Sequence, residues 1–449
     1  MDMDIRAAAK KLILMDFIIL GKYSLELKRK EGSTLKILLV QSPTGRPEAP
    51  IYPIGLAFIA GQLSHHELNG LDLSLNNEYR SMLRESIESF SPEIIALSLR
   101  NIDDSSYPVT YSYVKSFSEI MDVLESWKGI VIAGGTGFSI YPEIILERFP
   151  RIDYGIPGEG EKMFPELIDH LEKGIAIEGW SGGRMLPWKQ TDLSSLSPPD
   201  YRFIDISRYN VPDSIGVQSR RGCAFSCSYC TYGYLSGSTF RCRSVDKVVR
   251  DIKELEYLGV SRFAFIDSVF NAPEDYFEEL LSALEESDFG ISWSAWLDQN
   301  VTRSQLVRMK AAGAVKVDFS PDAITDRGLK ELAKRGKAAD LLPAVTFARR
   351  AGLQVGINFF NGNPGEGFLA FLRKLWFMLR VRSTLGWKST FVNIGTIRVY
   401  AHSPLAGYMR RKGIAPEDCT FFEPVFYRSR GPGDWLYRLF QRVRRLKHG

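Results

Sequence analysis

The stretch Ser219–Cys242, SRRGCAFSCSYCTYGYLSGSTFRC, holds four of the five cysteines of the chain, and three of them, Cys223, Cys227 and Cys230, stand in the order CxxxCxxC. Thiolates bind soft metals, and three on one short loop can hold three irons of a 4Fe-4S cluster while the fourth iron keeps no protein ligand. An open iron is a reaction site. A structural zinc ion is the alternative, with Cys242 as its fourth ligand. Zinc loops usually bring two CxxC-like pairs, whereas Cys242 is a lone cysteine between Arg241 and Arg243.

Arg-Arg-Gly-Cys-Ala-Phe-Ser-Cys-Ser-Tyr-Cys, residues 220–230, resembles the cluster loop of radical S-adenosylmethionine enzymes, including the aromatic Tyr229 before the last cysteine. The leading Arg-Arg-Gly and the later Phe-Arg-Cys-Arg-Ser, residues 240–244, resemble the cobalamin-dependent branch. The resemblance implies that the amino and carboxylate groups of S-adenosylmethionine chelate the open iron. One electron, from an external flavodoxin- or ferredoxin-type reductant, then cleaves it to methionine and a 5′-deoxyadenosyl radical.

A chain of 449 residues can hold two or three domains, and 45% apolar with 24% charged residues is ordinary for globular protein. The net charge of +4 is unevenly placed. Arg428 to Gly449 carries seven Lys or Arg against Asp434, which is +6, so the rest of the chain is at −2. Five cysteines, three of them clustered, argue for metal use in a reducing, cytoplasmic compartment and against a disulfide framework. Leu12 to Leu20 is shorter than the roughly 20 residues a membrane span needs, and no small-residue cleavage site follows it. Residues 1–34 read as an N-terminal extension, either helical or a disordered arm.

From Leu35 short β-branched runs alternate with amphipathic stretches, the pattern of a parallel sheet covered by helices. Strands are expected at 35–42, 71–76, 94–100, 130–135 and 152–156, giving an α/β, flavodoxin-like doubly wound domain over 35–178. Ligands of such sheets sit beyond the carboxyl ends of the strands. Ser98 to Asn101, Gly134-Gly135-Thr136-Gly137 and Gly158-Glu159-Gly160-Glu161 occupy that position. Together they resemble the cobalamin-binding domain of this enzyme branch, which implies cobalamin contacts from Ser98, Asn101, Gly134, Gly135, Thr136, Gly158, Glu159 and Gly160. The Asp-x-His-x-x-Gly motif that gives other cobalamin proteins a histidine ligand to cobalt is absent. His65 and His66 read as surface or capping residues, so the lower face of the corrinoid is expected to lack a histidine.

Residues 179–212, rich in Gly, Ser and Pro, read as a linker. Strand-like runs then recur at 215–219, 262–267, 291–296, 315–320, 355–360 and 392–400, with helical stretches between. Six units with no closing pair suggest a partial (βα)6 barrel over 213–412, with chemistry at the carboxyl ends of its strands. The cysteine loop follows the first of them, where the radical enzymes carry theirs. Many family members place Gly-Gly-Glu after the second strand to hold the methionine amine; this chain has Asp267 there, the natural substitute for pairing an ammonium. Tyr229, Ser320, Asp322, Gly356 and Asn358 complete the S-adenosylmethionine candidates, although Asp322 and Thr325 equally fit helix caps. Arg398, Tyr400 and His402 alternate onto one side of the sixth strand as candidate catalytic groups or as a cluster fixing the barrel rim. Trp293, Trp296 and Asp298 end the third strand, and tryptophan is often core.

Residues 413–449 form a C-terminal extension whose end spaces Trp435, Leu436, Leu439, Phe440, Val443 and Leu446 at helical intervals among arginines. This small α-helical tail suits packing on the barrel or, through 434–447, lying on an anionic membrane surface. No basic groove or aromatic platform points to nucleic acid. The expected function is cobalamin-dependent methylation of an unactivated carbon in a small-molecule or lipid-like substrate. Cyclisation, rearrangement or oxidation with the same cofactors and a zinc-stabilised binding module without catalysis are the alternatives.

Overall fold

The computed structural model describes residues 34–45, 49–428, 435 and 437–439. The expected N-terminal extension and most of the basic tail lie outside these residues. Two compact units are present: residues up to Ile102 with Ser112–Asp205, and Asp103–Tyr111 with Ile206 onward.

The first unit is a five-stranded parallel sheet of β1 (Lys36–Gln41), β2 (Glu67–Asp72), β3 (Ile94–Ser98), β4 (Ile130–Gly134) and β5 (Tyr154–Gly155), in the order β2-β1-β3-β4-β5. This is the flavodoxin-like order expected from the alternation. Successive side chains of a strand face opposite sides, so Ile37, Leu39, Ile94, Ala96, Ile130 and Ile132 form one buried face. Leu56 and Ile59 of the helix Ile54–Gln62 and Met163 and Leu167 of the helix Gly160–Lys173 cover it. Burying each such aliphatic side chain contributes about 1.5–3 kcal/mol.

The second strand lies earlier than the apolar run 71–76 suggested. β2 is an edge strand, half exposed and polar in sequence, while Leu73–Leu75 is a single 3-10 turn capped by Asp72, whose carboxylate accepts from the Ser74 amide at 2.8 Å. Of residues 179–212, read as linker, 179–205 are built onto this unit: the Gly155 amide donates to the Arg184 carbonyl at 2.7 Å, Leu186 joins the core, and Tyr201 packs on Tyr52.

The second unit begins its main sheet with β6 (Gly216–Val217). β7 (Arg220–Arg221) and β8 (Arg241–Cys242) make a separate antiparallel pair around the cysteine loop. The sheet continues through β9 (Arg262–Phe265), β10 (Ser292–Leu297), β11 (Ala314–Asp322), β12 (Gln354–Phe360) and β13 (Thr390–Gly395), six parallel strands in sequential order with β6 and β13 as edges. An open six-stranded barrel is the result. The expected sixth strand 392–400 divides at Thr396: its second half, β14 (Ile397–Val399), turns away to pair antiparallel with β15 (Val425–Tyr427). Among the described residues no helix is long and apolar enough to cross a membrane.

Candidate functional site

The cysteine loop is held at its base. Gly222 has φ +76°, and a Cβ there would lie 2.0 Å from the Thr239 carbonyl oxygen, so only glycine can enter the loop between β7 and β8. The arginines before it are anchors. Arg220 is buried beside Asp267 (3.4 Å) and over the Tyr276 ring (4.8 Å), and Arg221 donates to Gln218 at 2.7 Å. Arg243 pairs with Asp251 at 2.6 Å inside the fold and its amide donates to the Ser219 carbonyl. The Arg-Arg-Gly and Cys-Arg motifs therefore close the loop that presents Cys223, Cys227 and Cys230.

Those three cysteines line a cavity of about 250 Å³ at the carboxyl ends of the barrel strands. Ser268, Trp296, Asp298, Gln299, Ser320 and Lys334 line it with them. Burial pushes the Cys227 thiol up to about 11, with the Lys334 ammonium pulling the other way, and burial also raises Cys230. Cys242 lies elsewhere. It pairs with Arg220 in the β7–β8 ladder and is absent from the cavity lining, which removes the fourth ligand that a zinc site would draw from it. Among the described residues no group of three or more His, Cys, Asp or Glu converges as on a single metal ion. A cube that receives each thiolate on a different iron asks for no such convergence.

The candidates around this loop divide. Ser320 lines the cysteine cavity, and Tyr229 lines both it and a second cavity of about 610 Å³, with Cys230 also shared. The Tyr229 hydroxyl donates to Asp322 at 2.5 Å, and Asp322, at φ +65° and buried, is paired with Lys334 at 2.8 Å. Asp267 is not the free amine partner that its position suggested: its carboxylate accepts from the Ser219 amide (2.8 Å), the Ser219 hydroxyl (2.5 Å) and the Arg220 amide (3.1 Å). The neighbouring Ser268 faces the cavity instead, its hydroxyl donating to the Gly222 carbonyl at 2.8 Å. Gly356 and Asn358 line neither cavity; a Cβ at Gly356 would lie 1.8 Å from an Asp318 oxygen, so this glycine serves strand packing. Glu366 accepts from the Ile324 and Thr325 amides at 2.7 and 3.1 Å and pairs with buried Lys374.

Sequence reasoning missed Gln299. It lines the cysteine cavity, its amide donates to the Lys337 carbonyl at 3.0 Å, and its Oε1 is buried without a hydrogen-bond partner. An orphaned acceptor in the wall of a cavity leaves a hydrogen bond open to a donor. Nothing in its local sequence marks it, because the loop Asp298-Gln299-Asn300 reads as an ordinary polar turn.

Of Arg398, Tyr400 and His402, the first two stand together and the third is apart from them. Arg398 lies over the Tyr400 ring (4.7 Å) and lines the larger cavity with it, its guanidinium held by Asp103 at 2.9 Å and by the Phe421 and Phe422 carbonyls. Tyr400 hydrogen-bonds Ser105 at 3.0 Å and lines the larger cavity with Ser105, Tyr107, Asn393 and Thr396. His402 is outside that lining and stacks on Tyr234 with centroids 3.8 Å apart. His402 lies beyond the end of β14, outside the alternation that keeps Arg398 and Tyr400 together. Trp293 is core, its Nε1 donating to the Ala312 carbonyl, whereas Trp296 and Asp298 face the cysteine cavity.

In the first unit, parallel register sets Ser98 beside Gly134 at the carboxyl edge, and the Leu99 amide donates to the Gly134 carbonyl at 2.9 Å. Gly135 has φ +94°, and a Cβ there would lie 2.8 Å from the Leu99 carbonyl oxygen, leaving bare main chain at this edge; Thr136 and Asn101 are exposed beside it. Ser42, after β1, keeps a buried hydroxyl without a partner at the same edge. The Gly158 amide donates to Ser139, and Glu159 is a brace, accepting from the Thr191 amide at 2.7 Å, with Gly160 opening the next helix. His66 is buried, so of its surface-or-capping reading the surface half is corrected. Its Nδ1 accepts from the Leu35 amide (3.3 Å) at the opposite, amino end of β1, so it cannot reach a ligand at the carboxyl edge, while His65 is exposed. The residues present fit both groups: bare main chain and an orphaned hydroxyl suit a corrinoid with amide and phosphate groups, and three thiols beside an orphaned carbonyl suit a cluster with S-adenosylmethionine.

A flavodoxin-like unit followed by an open barrel with three thiols after its first strand defines a two-domain, cofactor-dependent enzyme. Residues 44–168 match the B12 binding domain and residues 217–375 the Radical SAM superfamily. An uncharacterized methyltransferase of Pyrococcus horikoshii is 26% identical over 356 residues, 74% of this chain and 75% of the relative. Cytidylyl-2-hydroxyethylphosphonate methyltransferase of Streptomyces wedmorensis is 23% identical over 70% of this chain and 69% of its own. In fold, the chain resembles the radical S-adenosylmethionine methyltransferase TsrM from Kitasatospora setae, solved with cobalamin and a [4Fe-4S] cluster: TM-score 0.76 at 18% identity, covering 89% of this chain and 85% of that one. The chain belongs to the cobalamin-dependent radical S-adenosylmethionine enzymes, whose cofactors are a 4Fe-4S cluster, S-adenosylmethionine and cobalamin.

Proposed function

We propose that this enzyme is a C-methyltransferase acting on an unactivated carbon of a small-molecule substrate, with a one-electron reductant of flavodoxin or ferredoxin type as its partner. The observation that carries the reading is one chain joining a B12-binding unit to a barrel in which Cys223, Cys227 and Cys230 line one cavity. When bound, the cluster and S-adenosylmethionine supply a 5′-deoxyadenosyl radical and cobalamin supplies a transferable methyl group.

The chain's own part is binding, orientation and exclusion. Cys223, Cys227 and Cys230 would ligate the cluster. Gln299 Oε1 would accept a hydrogen bond from the ammonium or a hydroxyl of S-adenosylmethionine, with Ser268 and Ser320 beside it, while the buried Tyr229–Asp322–Lys334 triplet fixes the loop that carries the thiols. Ser42, Ser98, Gly134, Gly135 and Thr136 would meet the corrinoid's amide or phosphate groups. The larger cavity, with hydroxyls from Ser105, Tyr107, Tyr400 and Thr396 against Phe360 and Ile394, suits a substrate with an apolar body and few polar groups. The small number of cysteines agrees with a reducing, cytoplasmic setting.

The test is anaerobic reconstitution with all three cofactors, a reductant and S-adenosylmethionine labelled in its methyl group. Label appearing on carbon in a product, together with 5′-deoxyadenosine, supports the reading. 5′-Deoxyadenosine with unlabelled product would replace methyl transfer with cyclisation or oxidation.

A further inference from the structure

The helix Phe368–Leu385 is apolar on two sides. Its inner side buries Ala370, Phe371, Phe377 and Val381 on the barrel. The opposite side leaves Leu369 66%, Trp376 60% and Leu379 52% exposed, with Leu372 between them, at the i, i+3, i+7, i+10 spacing of one helical stripe. Trp387, 58% exposed, and Phe391 of the edge strand β13 extend the surface. A helix on the surface of a globular protein ordinarily turns polar residues outward, and a continuous apolar surface of this kind marks an interaction site.

The charges around the stripe select the partner. From Gly367 to Phe391 there are five basic residues and no acidic one. Lys374 points inward to Glu366; Arg373, Arg380, Arg382 and Lys388 remain, with Arg380 over the Trp376 ring (5.1 Å) and Arg382 over Trp387 (5.4 Å). Tryptophan flanked by arginines whose stems lie along apolar surface is the arrangement that seats at the boundary of acyl chains and headgroups. Tyr437 packs edge-on against Phe371 (6.1 Å) of the same helix, and Trp435 and Leu439 near it in sequence are exposed. Each basic residue near an anionic leaflet contributes roughly 1 kcal/mol.

We propose that the outward stripe of Phe368–Leu385, with Trp387 and Phe391, docks the enzyme on an anionic lipid bilayer, lying in the interface without crossing it. This is independent of the reaction catalysed: it assigns where the enzyme works, beside a bilayer from which an apolar substrate can be drawn. Full-length protein, reconstituted with its cofactors, should float with vesicles of phosphatidylcholine and phosphatidylglycerol and much less with phosphatidylcholine alone. The double variant Leu372→Glu/Leu379→Glu, altered at two exposed positions, should bind the anionic vesicles at least about tenfold more weakly, since two leucine side chains no longer enter the acyl boundary. Its iron content and circular dichroism should stay unchanged. Brominated lipid should quench tryptophan emission in the wild type more than in Trp376→Phe.

Three results would overturn the proposal. One is wild-type protein that stays with the buffer. Another is flotation that survives the double variant and disappears on deleting residues 440–449, which would move the contact to the tail. The third is a concentration-dependent dimer abolished by the double variant without vesicle binding, which would give the face to a second copy of the chain.

Discussion

Gln299 is the residue in the cysteine cavity whose state asks most plainly for a ligand, because its side-chain carbonyl is buried with no donor to meet it. Replacing it by leucine removes the acceptor while filling similar space. Hydrogen bonds to charged groups are worth about 1.5–3 kcal/mol, so Gln299→Leu should weaken S-adenosylmethionine binding about tenfold to a hundredfold at unchanged iron content, read by equilibrium dialysis. Unchanged affinity would remove Gln299 from the site. At the far end of the first unit, His66 makes a prediction in pH. Burial, with His65 alongside, lowers its pKa from 6.5 to about 4, and its Nδ1 accepts from an amide, so the folded chain holds it neutral. The unfolded chain protonates first as pH falls, so this contribution is intact above about 6.5 and is lost on the way down to about 4, up to about 3 kcal/mol. His66→Gln, which keeps an acceptor, should flatten the loss of unfolding free energy across that window; an identical acid slope would contradict the assignment.

At the scale of elements, the cysteine loop is a closed device. Gly222→Ala would force the main chain against Thr239, so the variant should lose most of its iron on reconstitution and unfold at lower temperature, about 1–3 kcal/mol less stable. Retained iron and melting temperature would show that the β7–β8 closure is unimportant. Much of this level was legible in the sequence. Buried parallel strands write themselves as β-branched runs, and the CxxxCxxC spacing states its own chemistry. What escaped has physical causes. β2 is an edge strand with a polar sequence, so an apolar 3-10 turn stood in for it. Asp267 looked like a site residue because charge near a strand end is shared by ligands and by buried braces; only its partners at Ser219 and Arg220 tell the two apart. Gln299 was invisible because an unsatisfied atom is a property of three-dimensional packing.

At the scale of the whole molecule, the second unit is not continuous in sequence. Asp103–Tyr111, flanked by first-unit residues, brings it Asp103 for Arg398, Ser105 for Tyr400 and Tyr107 against Phe426 and Tyr437. A fragment starting at Ile206 would leave Arg398 buried and unpaired, and breaking a buried pair costs about 3–5 kcal/mol. That fragment should fail to give a cooperative thermal transition where the full chain gives one; a sharp transition would show that the inserted segment is dispensable. The account as a whole rests on three thiolates and an iron left open. Its most direct test is iron, sulfide and zinc content after anaerobic reconstitution of the wild type, of Cys223→Ala, Cys227→Ala and Cys230→Ala, and of Cys242→Ala. The account predicts roughly four iron and four sulfide per chain in the wild type and in Cys242→Ala, and loss of the cluster in the other three. Zinc in the wild type, lost equally from Cys242→Ala, would contradict it.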